Sequence, residues 1–322
     1  MKKQNFLYVF DDNYAPYAGI SILSLLSNAK SDADITIFCG GMNVSEGNIN
    51  KIENTVKSRG QHVKWLDCSE AIDIIQSCNT GEWNGSKATW LKVFLPWMLP
   101  DDVKQILYID SDTLVLGDLS EIFSEEDSDE CGAPVAAVLE SVDHTLGPGL
   151  SLDDYFNAGV LLMDVNYWKK PNFKEDFTKH LVNNVEKYRA NEQCLINDFF
   201  RGQIRKLPMK YNVQGFHYCY NEKTYLSVFN GCNYYDKAEI TAAKENPAII
   251  HFFRILGDYP WVEGNLHPVA DDFHKWKKMS EWKELPDIKA KRSFTFKVER
   301  ILYCILPRKM FLQLFCMIAK VK

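Results

Sequence analysis

Ile106-Leu-Tyr-Ile109 runs directly into Asp110-Ser111-Asp112-Thr113. The four apolar residues read as a buried strand, and two carboxylates follow at its C-terminal end. Residues i and i+2 of an extended chain point the same way, so Asp110 and Asp112 should converge. Two convergent carboxylates repel unless a cation lies between them, and a hard, oxygen-loving ion such as Mg²⁺ or Mn²⁺ suits the place. Such an ion clamps a diphosphate and takes up charge on it as it leaves. Asp is also common at helix caps and Asx turns, so the flanking sequence has to arbitrate.

Outward from this stretch, the first 140 residues alternate strands and helices. Residues 6–10, 34–39, 62–66, 105–109 and 133–138 read as strands. Residues 17–28, 45–58 and 89–99 read as helices, with Pro16 near one start, Ser45 as a cap and Pro96 as a kink or stop. That alternation predicts an α/β fold, a mostly parallel sheet flanked by helices. In such sheets a ligand sits beyond the carboxyl ends of the strands, where Asp110 and Asp112 stand. Further on, residues 160–165 and 248–253 read as strands and residues 173–188 and 193–200 as helices. The Tyr-rich stretch 211–235 reads as a substrate-facing lobe of loops and short elements.

The chain has 322 residues, with 46% hydrophobic and 25% charged, as in an ordinary globular protein. Its net charge of −6 makes a general nucleic-acid partner unexpected. Aromatic residues at 13% predict a dense core or a ring-lined cleft. The nine Cys are scattered without a C-x-x-C pair, which predicts buried, reduced thiols and a cytoplasmic setting rather than a disulfide framework. No signal-peptide core and no run of about 18 apolar residues is seen. The average charge hides an asymmetry: residues 288–322 carry a net +8 and the body before them −14. This tail also holds Phe294, Phe296, Ile301, Leu302 and Ile305. After Pro307 come Met310, Phe311, Leu314, Phe315 and Ile318 at the spacing of one helical face. A basic, amphipathic tail over residues 281–322 is expected to hold the protein peripherally on an anionic membrane, the alternative being a last helix packed on the body.

Several motifs, in order, carry a resemblance. They are Phe10-Asp-Asp-Asn-Tyr-Ala15, Ala88-Thr-Trp-Leu-Lys-Val-Phe-Leu-Pro96, Ile106-Leu-Tyr-Ile-Asp-Ser-Asp-Thr113, Tyr155-Phe-Asn-Ala-Gly-Val-Leu-Leu-Met-Asp164, Asn191-Glu-Gln-Cys-Leu-Ile-Asn197 and Pro247-Ala-Ile-Ile-His-Phe252. The sequence resembles glycosyltransferase family eight, retaining galactosyl- and glucosyltransferases of the GT-A fold. The resemblance spans about residues 6–276, within a catalytic domain expected over 1–280. It implies that Asp110, Asp112 and His251 ligate the metal, and an imidazole beside two carboxylates suits Mn²⁺ better than Mg²⁺. It implies that Tyr14 stacks on uracil, that Asp11 and Asn13 bond its edge, and that Asp110-Ser111-Asp112 faces the diphosphate. Asn157, in a turn with Ala158 and Gly159, would meet the donor sugar. Glu192 would grip that sugar, and Gln193 would lie near its anomeric carbon, where its carbonyl dipole stabilises positive charge.

Three positions depart from the family pattern. Lys92 stands where Arg is usual, keeping the charge but losing the planar fork. Glu192 replaces Asp. The segment after His251 lacks the usual phosphate-binding Lys, leaving Arg254 as the nearby cation and Gly257 as the close-approach glycine. The resemblance implies transfer of glucose or galactose from UDP-glucose or UDP-galactose to a saccharide acceptor, such as a lipopolysaccharide or a lipid-linked glycan at the inner face of a bacterial membrane. Two alternatives stand beside it. Asp110-Ser-Asp-Thr113 also matches the Asp-x-Asp-x-Thr of haloacid dehalogenase-type phosphatases, with Asp110 as nucleophile. The departures also suit a member that binds UDP-sugar or glycan without turnover.

Overall fold

A computed structural model describes residues 3–83, 85–123, 133–140, 154–224 and 234–319. Part of the Tyr-rich stretch, Cys131, Cys232 and the last three residues lie outside these. Seven strands form the main sheet: β1 (Lys3–Asp11), β2 (Asp34–Met42), β3 (His62–Leu66), β4 (Gln105–Ile109), β6 (Val135–Leu139), β7 (Phe156–Asp164) and β8 (Ile204–Lys206). Their order is β3-β2-β1-β4-β7-β6-β8. All run the same way except β7, which is antiparallel to β4 and β6. β4 and β6 read as near-continuous apolar runs because helices cover both faces of the sheet, leaving no wet side.

A small second sheet consists of β5 (Thr113–Val115), β9 (Val213–Gln214) and β10 (Ile249–His251), in the order β5-β10-β9. Helix α1 (Ala15–Asn28) lies between the two sheets and is buried from Ala15 to Leu26. Its polar side chains tie them together. Ser21 Oγ bonds Tyr8 OH at 3.0 Å and Thr113 Oγ1 at 2.7 Å, and Ser24 Oγ accepts from Val115 N at 2.9 Å.

The remaining helices are α2 (Glu46–Lys57), α3 (Ser69–Ser77), α4 (Leu91–Phe94), α5 (Val165–Trp168), α6 (Phe173–Asn184), α7 (Asn191–Phe199), α8 (Phe216–Cys219), α9 (Lys237–Glu245), α10 (Ala270–Met279), α11 (Phe294–Ile305) and α12 (Arg308–Ala319). The Ser45 cap is present, its side chain accepting from Asn48 N. The aromatic content goes largely into core: Trp97, Trp168, Phe173, Phe177 and Phe200 pack ring against ring.

Some elements differ from the sequence reading. Residues 89–99 are not one helix but a 3₁₀ turn, the short α4 and a second 3₁₀ turn that contains Pro96. Proline supplies no N–H to an α-helix, and Trp90, Leu91, Phe94 and Leu95 are all buried, so packing rather than hydrogen bonding sets the path. Asn157-Ala-Gly159 is not a turn but lies inside β7, which starts at Phe156 rather than 160. The irregularity falls on the partner strand instead, where the β6–β7 register shifts between Ala137 and Leu139. The sequence reading did not single out the short strands β5, β8 and β9, or α3, whose Ala71 and Ile75 are buried. Among the described cysteines five are buried, but Cys304 is exposed.

Pro307 separates α11 from α12, as its missing donor predicts. The expected single apolar face of α12 is split. Phe311 turns inward with Leu312, against Tyr303, Cys219, Tyr220 and Ile255, while Met310 and Phe315 stay exposed. Among the described residues, no helix is long and apolar enough to cross a membrane.

Candidate active site

Asp110 to Asp112 is the link by which the chain leaves β4 of the large sheet and enters β5 of the small one. β10 pairs antiparallel with β5 and sets His251 opposite Thr113. Phe252 N then donates to Asp112 O at 2.8 Å. The imidazole is thereby delivered to both carboxylates, with Nε2 at 3.3 Å from Asp112 Oδ1 and 3.7 Å from Asp110 Oδ2. One ligand atom from each of the three lies within 4.8 Å of the others. The expected convergence is there, although the chain is bent, not extended, across it.

The donor set fits a divalent ion on the chemistry of His251. Its Nδ1 faces Asn212 Oδ1 at 3.1 Å, and the Asn212 amide donates to Asn157 Oδ1 at 2.7 Å. Asn212 therefore offers its oxygen to the ring, Nδ1 carries the proton, and Nε2 is left with a lone pair toward the carboxylates. Burial disfavours an imidazolium here, but Asp112 and Asp110 together hold the His251 pKa above its ordinary value. Burial also works against ionisation of Asp110, yet Lys92 and His251 bring its pKa below the ordinary carboxylate value.

Gly159 makes the approach possible. Its N–H donates to Asn157 Oδ1 at 2.9 Å, and its carbonyl accepts from Asp110 N at 2.8 Å. A Cβ there would stand 2.2 Å from His251 Cε1. The missing side chain at Gly159 thus makes room for the His251 ring.

Lys92 is only 1% exposed. Its ammonium donates to Asp110 Oδ1 at 3.2 Å and Ala158 O at 3.2 Å, and pairs with Glu192 Oε1 at 2.9 Å. Burial opposes the charge, but Asp110 and Glu192 outweigh it and raise the pKa. Glu192 itself is 7% exposed at the start of α7, so it is a buried partner of Lys92 rather than an exposed helix-end acid.

Gln193 lines the cleft and bonds to β7. Its Oε1 accepts from Ala158 N at 3.0 Å and from Asn157 Nδ2 at 3.1 Å. The carbonyl is thus directed at β7. It holds Asn157, whose Nδ2 also donates to Glu140 Oε2 at 2.7 Å.

A cleft of about 600 Å³ joins these parts. Asp11, Tyr14, Lys92, Asp110, Ser111, Asp112, Asn157, Ala158, Glu192, Gln193, His251 and Arg254 of the predicted set line it. Two predicted residues do not. Asn13 is exposed and lines a separate depression beside Met42 and Gln76, because Asp11 Oδ1 takes the Tyr14 N–H at 3.1 Å and the turn points Asn13 away. Gly257 lies under the Phe296 ring of α11.

Sequence reasoning missed Tyr108, whose hydroxyl donates to Asp110, and Asn212, which orients His251. It also missed Glu140, which lines the cleft at the end of β6. Tyr108 was findable two residues before Asp110 on one strand face, and Glu140 as a carboxylate at a strand end. Asn212 carried no local signal. Of the other histidines, His217 and His267 are buried and hydrogen-bonded away from the metal ligands.

The chain belongs to glycosyl transferase family 8, whose model matches residues 5–263. It is 24% identical to General stress protein A of Bacillus subtilis, over 88% of this chain and 96% of that one. It is 25% identical to a lipopolysaccharide 1,2-glucosyltransferase of Escherichia coli K12, over 91% and 83% respectively. Its fold matches the crystal structure of the galactosyltransferase LgtC in complex with donor and acceptor sugar analogs. The TM-score there is 0.69 at 16% identity, covering 92% of this chain and 99% of that one. The fold is therefore GT-A, as expected.

Proposed function

We propose that this glycosyltransferase moves a hexose, glucose or galactose, from its UDP-sugar to a hydroxyl of a saccharide acceptor, with retention of configuration. The observation that carries the reading is the meeting of Asp110, Asp112 and His251 in a cleft that has Tyr14 on one side and Asn157, Glu192 and Gln193 on the other. Relatives with lipopolysaccharide glucosyltransferase names support a hexosyltransferase acting on cell-surface saccharide. Asp110, Asp112 and His251 would hold Mn²⁺, or Mg²⁺, which supplies Lewis acidity to a diphosphate.

The chain's own residues do the rest. Tyr14 offers a ring face to uracil and Asp11 a polar edge. Arg254, stacked 5.2 Å from the Tyr259 ring centre, brings a cation to the diphosphate. Asn157, fixed by Gly159, Gln193, Asn212 and Glu140, shapes the wall that faces the sugar. Lys92 pairs with Glu192 and holds it beside the sugar. Glu140 places negative charge on the side of Asn157 where positive charge develops at the anomeric carbon. The departures at Lys92 and Glu192 compensate each other by pairing, which favours turnover over a binding-only member.

A peripheral membrane role for the tail is part of this reading. Phe294, Ile301 and Ile305 of α11 are 81%, 60% and 67% exposed on one helical face. Lys289, Lys291, Lys297 and Lys309 around them are exposed as well. Such a surface suits an anionic membrane at whose cytoplasmic face a lipid-linked acceptor is built.

The test is UDP release with Mn²⁺ and a panel of UDP-sugars. Turnover or slow hydrolysis is expected with UDP-glucose or UDP-galactose, and neither with any donor would overturn the reading. Binding of donor without either outcome would assign the chain as a binder.

A further inference from the structure

The four residues Ile255 to Asp258 form a tight hairpin turn, closed by Ile255 N to Asp258 O at 2.9 Å and Asp258 N to Ile255 O at 3.1 Å. Its two central residues, Leu256 and Gly257, have φ of 52° and 86°. Both angles are left-handed, as a type I′ turn requires, and Leu is a poor residue for the first of them. Something outside the turn must hold it.

Every residue of the turn touches the tail. Ile255 and Leu256 pack with Tyr303, Phe311 and Leu312. Gly257 sits beneath Phe296, whose ring would meet an added Cβ at 2.9 Å. Asp258, 4% exposed, accepts from Arg292 Nε at 2.8 Å and from Arg300 at 2.7 Å. The same two arginines donate to the Glu263 and Gly264 carbonyls at 2.6 Å each. The two residues flanking the turn, Arg254 and Tyr259, line the cleft.

We propose that the start of the tail is a positioning element of the donor site: Arg292, just before α11, and Arg300 on it, acting through Asp258, hold the hairpin so that Arg254 and Tyr259 face the diphosphate. Two of the tail's basic residues are thus committed to the body and are not part of its surface charge. The buried carboxylate fixes the register of the tail against the hairpin, since only this placement satisfies it. The proposal rests on the reading that Arg254 meets the donor.

The test uses the full chain and two measurements. In R292Q/R300Q, amide exchange at Ile255 and Asp258 should rise sharply while β10 amides keep their protection. UDP affinity in the presence of Mn²⁺, measured calorimetrically, should fall about tenfold, with KM for the donor rising and kcat changing far less. R254A should cause the same loss, and the combined variant no further loss. R300K, which keeps the charge, should regain part of the affinity, and it replaces the double variant if that one does not fold. K275Q/K278Q, which removes two exposed charges on α10, should leave affinity unchanged. Unchanged exchange at Ile255 and Asp258, or losses that add to those of R254A, would overturn the proposal. If the wild-type chain binds no UDP, the functional reading fails, while the exchange measurement still decides whether the tail holds the hairpin.

Discussion

Replacing Gly159 by Ala isolates the geometry of the metal site. Gly159 lies in β7 and is not among the residues with positive φ, so its backbone accepts a side chain. The added Cβ would stand 2.2 Å from His251 Cε1, 2.6 Å from Nδ1 and 2.8 Å from Asp110 Oδ2. Carbon atoms settle at about 3.5–4.0 Å, so the ring has to retreat by more than about 1 Å. It cannot do so in place, because Nδ1 is bonded to Asn212 at 3.1 Å and Phe253 packs 4.7 Å from the ring centre. Overpacking of this kind costs about 1–3 kcal/mol of stability. Displacing one metal ligand and its orienting bond by that distance costs on the order of 10²-fold in metal affinity. Mn²⁺ titration followed by electron paramagnetic resonance reads the affinity, and urea unfolding confirms the fold. A folded G159A protein that binds Mn²⁺ within about threefold of wild type would refute the reasoning.

Three further outcomes follow from the same structure. Lys92→Met strands the carboxylates of Asp110 and Glu192 in a buried place and should destabilise the fold by about 3–5 kcal/mol, read from urea midpoints; a loss under about 1 kcal/mol would contradict it. His217 and His267 are held by burial at a pKa of about 4, below the ordinary 6.5. The unfolded chain therefore takes up these protons first. Their contribution, at most about 3 kcal/mol each, is present above pH about 6.5 and lost as pH falls toward 4, and a flat urea midpoint over that range would count against it. Phe294→Ser with Ile301→Ser and Ile305→Ser strips the exposed face of α11 while sparing Asp258, Arg292 and Arg300. Sedimentation with anionic vesicles should then be lost while UDP binding persists, and undiminished sedimentation would rule out that face as the contact.

The tail shows how far a sequence pattern reaches. The spacing of apolar residues after Pro307 and the break at Pro307 are local properties, and α12 forms where they predict. The pattern could not say that Phe311 would turn inward, or that Arg292 and Arg300 would be claimed by Asp258. Both depend on which surface the helices meet, and that surface is built by residues far away in the chain. Nor could the pattern say that Gly257 would lie under the Phe296 ring.

By itself the sequence determined the alternation of the main sheet, the strand end at Ile109 and the carboxylates beyond it. Periodicity and strand ends depend on near neighbours, so these can be read locally. The motif order added His251 and the residues of β7 and α7. Tertiary structure alone decided that Asp110 to Asp112 bridges two sheets, that β10 brings His251 to the bridge, and that Gly159 leaves room for its ring. It also decided that Lys92 pairs with Glu192 and that the Gln193 amide bonds to Asn157 and Ala158. These are contacts between side chains from separate strands and helices, and they exist only once packing has removed water and fixed the register. A charge or amide in the sequence has a type, but its partner is chosen by the fold.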